Sequence, residues 1–138
     1  MIINYVKNLK IINDSKSTSF SSTVGLLSTY KNIYWIVGGK FKKGDKLILN
    51  KKYYKNIRAY LIGLDKRKFL YQLKNKIKFI YLKNLKKAIK KIKKDIKTDN
   101  KLKTILFSPA AASFDQFKNF EQRGYFFNLQ TKKLLLNE

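Results

Sequence analysis

Cysteine and histidine are both absent from the 138 residues. The first absence excludes a disulfide framework, a cysteine-ligated zinc site and a thiol nucleophile. The second excludes a Ser-His relay, an imidazole metal ligand and an imidazole proton shuttle. Proline occurs once, at Pro109, and glycine only 6 times, so no flexible or proline-rich linker divides the chain. Acidic residues are scarce: 8 stand against 32 Lys and Arg, a formal net charge of +24. Long apolar runs are missing too, none approaching the roughly 20 residues that span a bilayer. The opening MIINYVKNLKIIND interrupts its apolar residues with Lys7 and Lys10 and ends in Asn-Asp, unlike the basic-apolar-small layout of a secretory leader. A cytoplasmic protein is expected, with no membrane span. The glycosylation triplet Asn13-Asp14-Ser15 is then a chance match.

What is present suits one α/β domain. Hydrophobic residues make up 44% of the chain, enough to bury a core at this length and to exclude wholesale disorder. The basic charge invites a nucleic-acid partner. Yet only Arg58, Arg67 and Arg123 are arginines; the remaining basic residues are lysines. Base-edge and bidentate phosphate recognition favours Arg. Lys, Asn, Ile, Tyr and Phe are abundant together and share AT-rich codons, so a biased genome accounts for solvated lysine without a specific nucleic acid.

Strand and helix patterns alternate. Leu9–Ile12, Asn32–Val37, Ile57–Ile62, Ile77–Leu82 and Thr104–Phe107 read as strands. Several are continuous apolar runs of the kind buried on both faces. Thr18–Tyr30, Leu47–Tyr54, Asp65–Leu73, Asn84–Lys97 and Asp115–Leu129 read as helices, the last with a break expected at Gly124. The predicted fold is a Rossmann-like three-layer domain with a mostly parallel sheet and helices on both faces. Ligands of such sheets gather beyond the carboxyl ends of the strands.

Three chemically loaded segments fall at those ends. Asn13-Asp14-Ser15-Lys16-Ser17-Thr18-Ser19 places an acid, an amine and hydroxyls before an expected helix start, where free amides favour anions; the same residues also read as ordinary caps. Gly38-Gly39-Lys40-Phe41-Lys42-Lys43-Gly44-Asp45 nearly matches a phosphate loop. Asp45 and Lys46 occupy the places of its Lys and Ser/Thr, so an autonomous phosphate loop is excluded. Ser108-Pro109-Ala110-Ala111-Ala112-Ser113 is a small-residue loop in an Ala- and Pro-poor chain, leading through Phe114-Asp115 to an expected helix on whose first amides a carboxylate could dock beside Ser113.

These segments, with Trp35-Ile36-Val37-Gly38-Gly39 and the continuation Gln116-Phe117-Lys118-Asn119-Phe120-Glu121-Gln122-Arg123-Gly124, closely resemble the C-terminal domain of the Mur ligases, in the branch that adds D-glutamate to UDP-N-acetylmuramoyl-L-alanine. The resemblance runs from about Val6 to Leu129. It implies ATP-dependent amide ligation in peptidoglycan precursor synthesis: the alanyl carboxylate is activated as an acyl phosphate and the amine of D-glutamate attacks it. By motif position it implies a D-glutamate pocket of Thr18, Lys42, Ser113, Phe114 and Phe120, with Asp14 and Lys16 facing the nucleotide and reaction centre. Ser19 stands where the family often has Asn. A nucleotide-contacting Arg expected before the first strand is missing. The uridine-nucleotide domain and the central domain that would hold most of ATP and magnesium are not represented in these residues, so the chain alone is expected to be inactive and to hold no metal. The alternative expectation is a basic, non-enzymatic nucleic-acid-binding domain, using the Lys/Tyr interleaving of residues 51–81 to stack bases.

Overall fold

The computed structural model describes residues 2–6, 8–113 and 116–136. Ten main elements alternate along them: β1 (Ile2–Val6), β2 (Leu9–Asn13), α1 (Val24–Thr29), β3 (Ile33–Gly38), β4 (Ile57–Ile62), α2 (Lys66–Leu73), β5 (Lys78–Tyr81), α3 (Leu85–Ile96), β6 (Lys103–Phe107) and α4 (Phe120–Thr131). The strands form one sheet in the order β1-β2-β6-β3-β4-β5. All neighbours pair in parallel except β1 and β2. The mostly parallel α/β reading therefore holds. Strand β6 returns last in sequence to the centre, so its exit loop lies between those of β2 and β3.

The continuous apolar runs are explained by burial on both sides. In β3, Ile33, Trp35 and Val37 join a core with Leu27 of α1 and Phe69 and Leu73 of α2. The intervening Tyr34 and Ile36 join a second core with Leu85, Ala88, Ile89 and Ile92 of α3 and Phe127 of α4. On α3, those four buried residues recur at helical spacing, leaving the lysines between them to face water.

Several local expectations are corrected. The sequence pattern gives no strand before Leu9, yet Ile2–Val6 pairs antiparallel with β2. The expected Thr18–Tyr30 helix is a short 3₁₀ turn, Phe20–Ser22, followed by α1 from Val24. Hydroxyls supply the reason: Ser22 Oγ donates to Ser19 O at 2.7 Å, and Ser17 Oγ lies 2.7 Å from Thr23 Oγ1, local bonds that compete with a helical turn. The last helix begins at Phe120 rather than Asp115. Asn119 caps it, its Oδ1 accepting from Gln122 N at 2.8 Å. Gly124 does not break it; the helix runs through, and a Cβ there would lie 3.1 Å from that of Ser15. Similarly, the expected helix Leu47–Tyr54 is replaced by a 3₁₀ segment, Lys51–Asn56, that starts four residues later and runs past Tyr54. Among the described residues no helix is long and apolar enough to cross a membrane.

Candidate functional site at the strand tips

The exits of β2, β3 and β6 are tied into one unit. Asp14 N donates to Phe107 O at 2.7 Å and extends the β2–β6 ladder by one residue. The Asp14 carboxylate accepts from Ser108 Oγ at 2.8 Å. A buried hydroxyl chain continues through Thr23 Oγ1, 2.6 Å from Ser108 Oγ, to Ser17 Oγ, which accepts from Ala110 N at 3.2 Å. On the other side the loop pairs with the β3 exit: Lys40 N donates to Ala112 O at 3.0 Å and Ala112 N to Lys40 O at 3.1 Å. The small residues are needed because backbones meet here. A Cβ on Gly39 would stand 2.8 Å from Ala112 O. Ala110, fully buried, adopts a left-handed φ of 54°, a strained conformation for a residue with a Cβ.

Arg123 closes the unit from below. It is buried, and its guanidinium donates to Ser15 Oγ at 3.1 Å, to Ser15 O, and to Ala111 O at 2.9 Å. Ser15 Oγ in turn donates to Phe120 O at 2.7 Å. One planar fork thus joins the first and third motifs to α4. In the sequence the signal for Arg123 is its rarity, one of three arginines in a lysine-rich chain. The buried roles of Ser17, Thr23 and Ser108 carried no comparable signal.

Among the described residues, no side-chain hydrogen bond or ion pair joins one of the six described site residues to another. Asp14 is buried; Lys16 and Thr18 are exposed beside it. Lys42 is exposed in the turn closed by Asp45 N donating to Lys42 O at 3.0 Å. Lys40 and Lys43 are equally exposed, so burial does not single out one lysine. Ser113 is buried, and among the described residues its hydroxyl has no hydrogen-bond partner. Its carbonyl closes a turn by accepting from Phe117 N at 2.8 Å, so Ser113 does not stand at a helix start as expected. Phe120 exposes 43% of its surface at the first turn of α4. Phe114, like Asp115, lies outside the described residues. The amide expected to be free near Thr18 is taken: Phe20 N donates to Asp45 Oδ2 at 2.8 Å, so Asp45 anchors the β3 exit to the β2 exit.

Asn13 is buried, with Nδ2 donating to Gly124 O at 3.0 Å and Asn128 Oδ1 at 2.8 Å, which leaves the glycosylation triplet no accessible amide. The tyrosines of residues 51–81 do not make a stacking face. Tyr60 is buried and Tyr53, Tyr54 and Tyr81 are half-buried; of these five, Tyr71 alone is exposed. Among the described residues no three acidic side chains converge on a cation site.

Burial raises the Asp14 carboxyl above the ordinary aspartate range, against the opposing bond from Ser108 and the charge of Lys16. Its proton is therefore held more tightly in the folded than in the unfolded chain, and it contributes instability at neutral pH that fades as pH falls toward the unfolded value. Asp14→Asn is expected to raise stability at pH 7, with the advantage shrinking at about pH 4. Urea midpoints of both proteins at the two pH values measure it; an advantage growing on acidification would contradict the sign.

The mostly parallel sheet, its flanking helices and the joined strand exits define a Rossmann-like α/β domain, a class whose ligands gather beyond the carboxyl ends of the strands. No family model matches the chain. Curated relatives do. A UDP-N-acetylmuramoylalanine–D-glutamate ligase of the Wolbachia symbiont of Brugia malayi is 38% identical over 133 residues, 96% of this chain and 27% of that protein. The protein of the same name from Rickettsia conorii is 39% identical over 91% of this chain and 25% of its own length. That of Caulobacter vibrioides is 34% identical over 88% and 26%. Among solved structures, a MurF ligase from Thermotoga maritima in complex with ADP matches with a TM-score of 0.50 at 15% identity, over 95% of this chain and 30% of that one, a likeness of fold. The chain is homologous to the Mur ligases, enzymes of peptidoglycan precursor synthesis, and spans about a quarter of the length of the curated relatives it matches.

Proposed function

We propose that these residues are the amino-acid-binding, closing domain of a Mur ligase that joins D-glutamate to UDP-N-acetylmuramoyl-L-alanine at the expense of ATP in the cytoplasm. The observation that carries the reading is the 34–39% identity to ligases of that name over 88–96% of the chain, and the bonding of the three strand-exit segments into one unit supports it.

The chemistry suits a dicarboxylate amino acid. The ammonium of Lys42 and the hydroxyls of Thr18 and Ser113 offer donors to two carboxylates, and charge-assisted bonds of this kind are the stronger ones. The exposed ring of Phe120 supplies an apolar wall for the methylenes, and Phe114 would add a second. Asp14 and Lys16 would meet the nucleotide as the domain closes. Asp14 is held in place by Ser108, so its carboxylate is oriented before any partner arrives. Most contacts to ATP and magnesium, and all those to the uridine nucleotide, fall to the rest of the enzyme.

A chimera tests this. With residues 1–138 replacing the matched segment of the Wolbachia ligase, ATP- and D-glutamate-dependent phosphate release is expected. Lys42→Ala should raise KM for D-glutamate about tenfold to a hundredfold, the loss of one charge-assisted bond or more, and Ser113→Ala about tenfold. An active chimera whose D-glutamate KM ignores both substitutions would refute the pocket. The expectation that residues 1–138 alone are inactive is read from the same assay.

A further inference from the structure

A groove of about 790 Å³ opens at the other end of the sheet, where β3, β4 and β5 begin and α3 ends. Parallel register sets Arg58 between Tyr34 and Lys78, and in the next row on the same face Tyr60 beside Ile80. Between residues 66 and 113 the only acids are Asp95 and Asp99, and both line this groove. Each is already engaged. Asp99 Oδ2 accepts from Tyr34 OH at 2.6 Å and Asn32 Nδ2 at 2.9 Å. Asp95 accepts from Tyr60 OH at 2.7 Å and from Lys91 Nζ at 2.8 Å. Burial, then the bond to Asp99, pushes the Tyr34 phenol up to about 12, so it stays a donor at neutral pH.

These bonds fix a cation. Asn32 Oδ1 accepts from Arg58 NH1 at 3.1 Å, and the guanidinium carbon stands 4.4 Å over the Tyr34 ring. Of five guanidinium N–H groups, one is used in that bond. Lys78 and Lys101 line the same groove and are exposed, with no side-chain partner among the described residues. The lining carries Arg58, Lys78, Lys91 and Lys101 against Asp95 and Asp99, a balance of 4 − 2 = +2. Beside the cations, Ile80 exposes 41% of its surface and Phe79 is half-buried.

We propose that this groove binds an organic phosphate, its dianion held by Arg58, Lys78 and Lys101 and its apolar or planar body lying against Ile80. A pre-oriented Arg fork flanked by two ammonium groups matches a phosphate monoester, and the groove has the size of a small-molecule site. The inference stands on this geometry and not on the ligase reading.

Titration of the purified chain with adenosine 5′-monophosphate at about 0.15 M salt, where exposed charges are screened beyond about 8 Å, tests it by amide shifts in NMR spectra. Saturable shifts at residues 32–34, 58–60, 78–80 and 98–101 are expected. Arg58→Gln should weaken binding about tenfold or more, as loss of a charge-assisted pair does, while Arg67→Gln, an equal charge change at an exposed site on α2, leaves it unchanged. Inorganic phosphate should bind more weakly than the nucleotide. Absence of saturation, equal losses in the two variants, equal affinity for inorganic phosphate, or binding of oligonucleotides alone with a steep salt dependence would each overturn the proposal, the last by showing only a diffuse basic surface.

Discussion

Arg123→Met is expected to destabilise the domain by about 3–5 kcal/mol, the range seen when a buried, hydrogen-bonded charge network is broken. Methionine fills much of the volume, so the loss is one of hydrogen bonds more than of packing. Ser15 O, Ser15 Oγ and Ala111 O each lose a donor at a buried position, and an unsatisfied buried group costs about 1–3 kcal/mol. A domain of this kind has about 5–15 kcal/mol in total, so the variant should unfold at markedly lower urea. Arg123→Lys should recover little. One ammonium on a flexible stem does not reproduce a planar fork that spans Ser15 and Ala111. Urea denaturation followed by circular dichroism measures both. A loss under about 1 kcal/mol for Arg123→Met would mean that the two loops hold together without it, through the hydroxyl chain from Asp14 to Ser17.

Gly38→Ala is expected to cost a similar 3–5 kcal/mol or prevent folding, from about 1–3 kcal/mol of backbone strain plus overpacking of like size. At Gly38 the φ is 124°, and a Cβ would lie 2.0 Å from Ile62 O. That oxygen belongs to the backbone of β4, paired in register with Gly38 itself. No side chain can rotate away; the two strands would have to separate at the end that forms the crevice. Gly25 supplies the opposite case. It lies within α1 and has nothing within 4 Å of an added Cβ, so Gly25→Ala should stabilise by about 0.5 kcal/mol. Thermal melts of the pair check the contrast, and a shift of the same sign in both would show that the close approach of β3 and β4 does not constrain position 38.

Much of the fold was legible because burial on both faces writes itself into sequence. Ile33-Tyr34-Trp35-Ile36-Val37 needs two cores, and the structure provides them. Edges and helix starts were less legible. Ile2–Val6 is short and pairs with β2 on one side only, so its pattern is too brief to mark an edge strand. The Ser/Thr-rich stretch after β2 resembles a helix start, but its hydroxyls bond one another and delay α1 to Val24. The apolar and aromatic spacing from 115 to 129 fits a helix from either position, and the start is fixed by Asn119, whose side chain caps Gln122 N. At the candidate site, the motifs and their order were readable, while the choice among Lys40, Lys42 and Lys43 was not. Lys40 sits in the bridge to Ala112 and Lys42 and Lys43 in the turn beyond it, but all three side chains are exposed, so burial does not separate them.

Composition and pattern alone determined which chemistries are closed to this protein and which segments follow strand ends, since both depend on residue identity and on near neighbours. The tertiary structure decided what those segments are bonded to. Arg123 and Ser15 are separated by 108 positions, Asp14 and Ser108 by 94. No local periodicity carries information across such distances; only the return of β6 to the middle of the sheet brings the partners within reach.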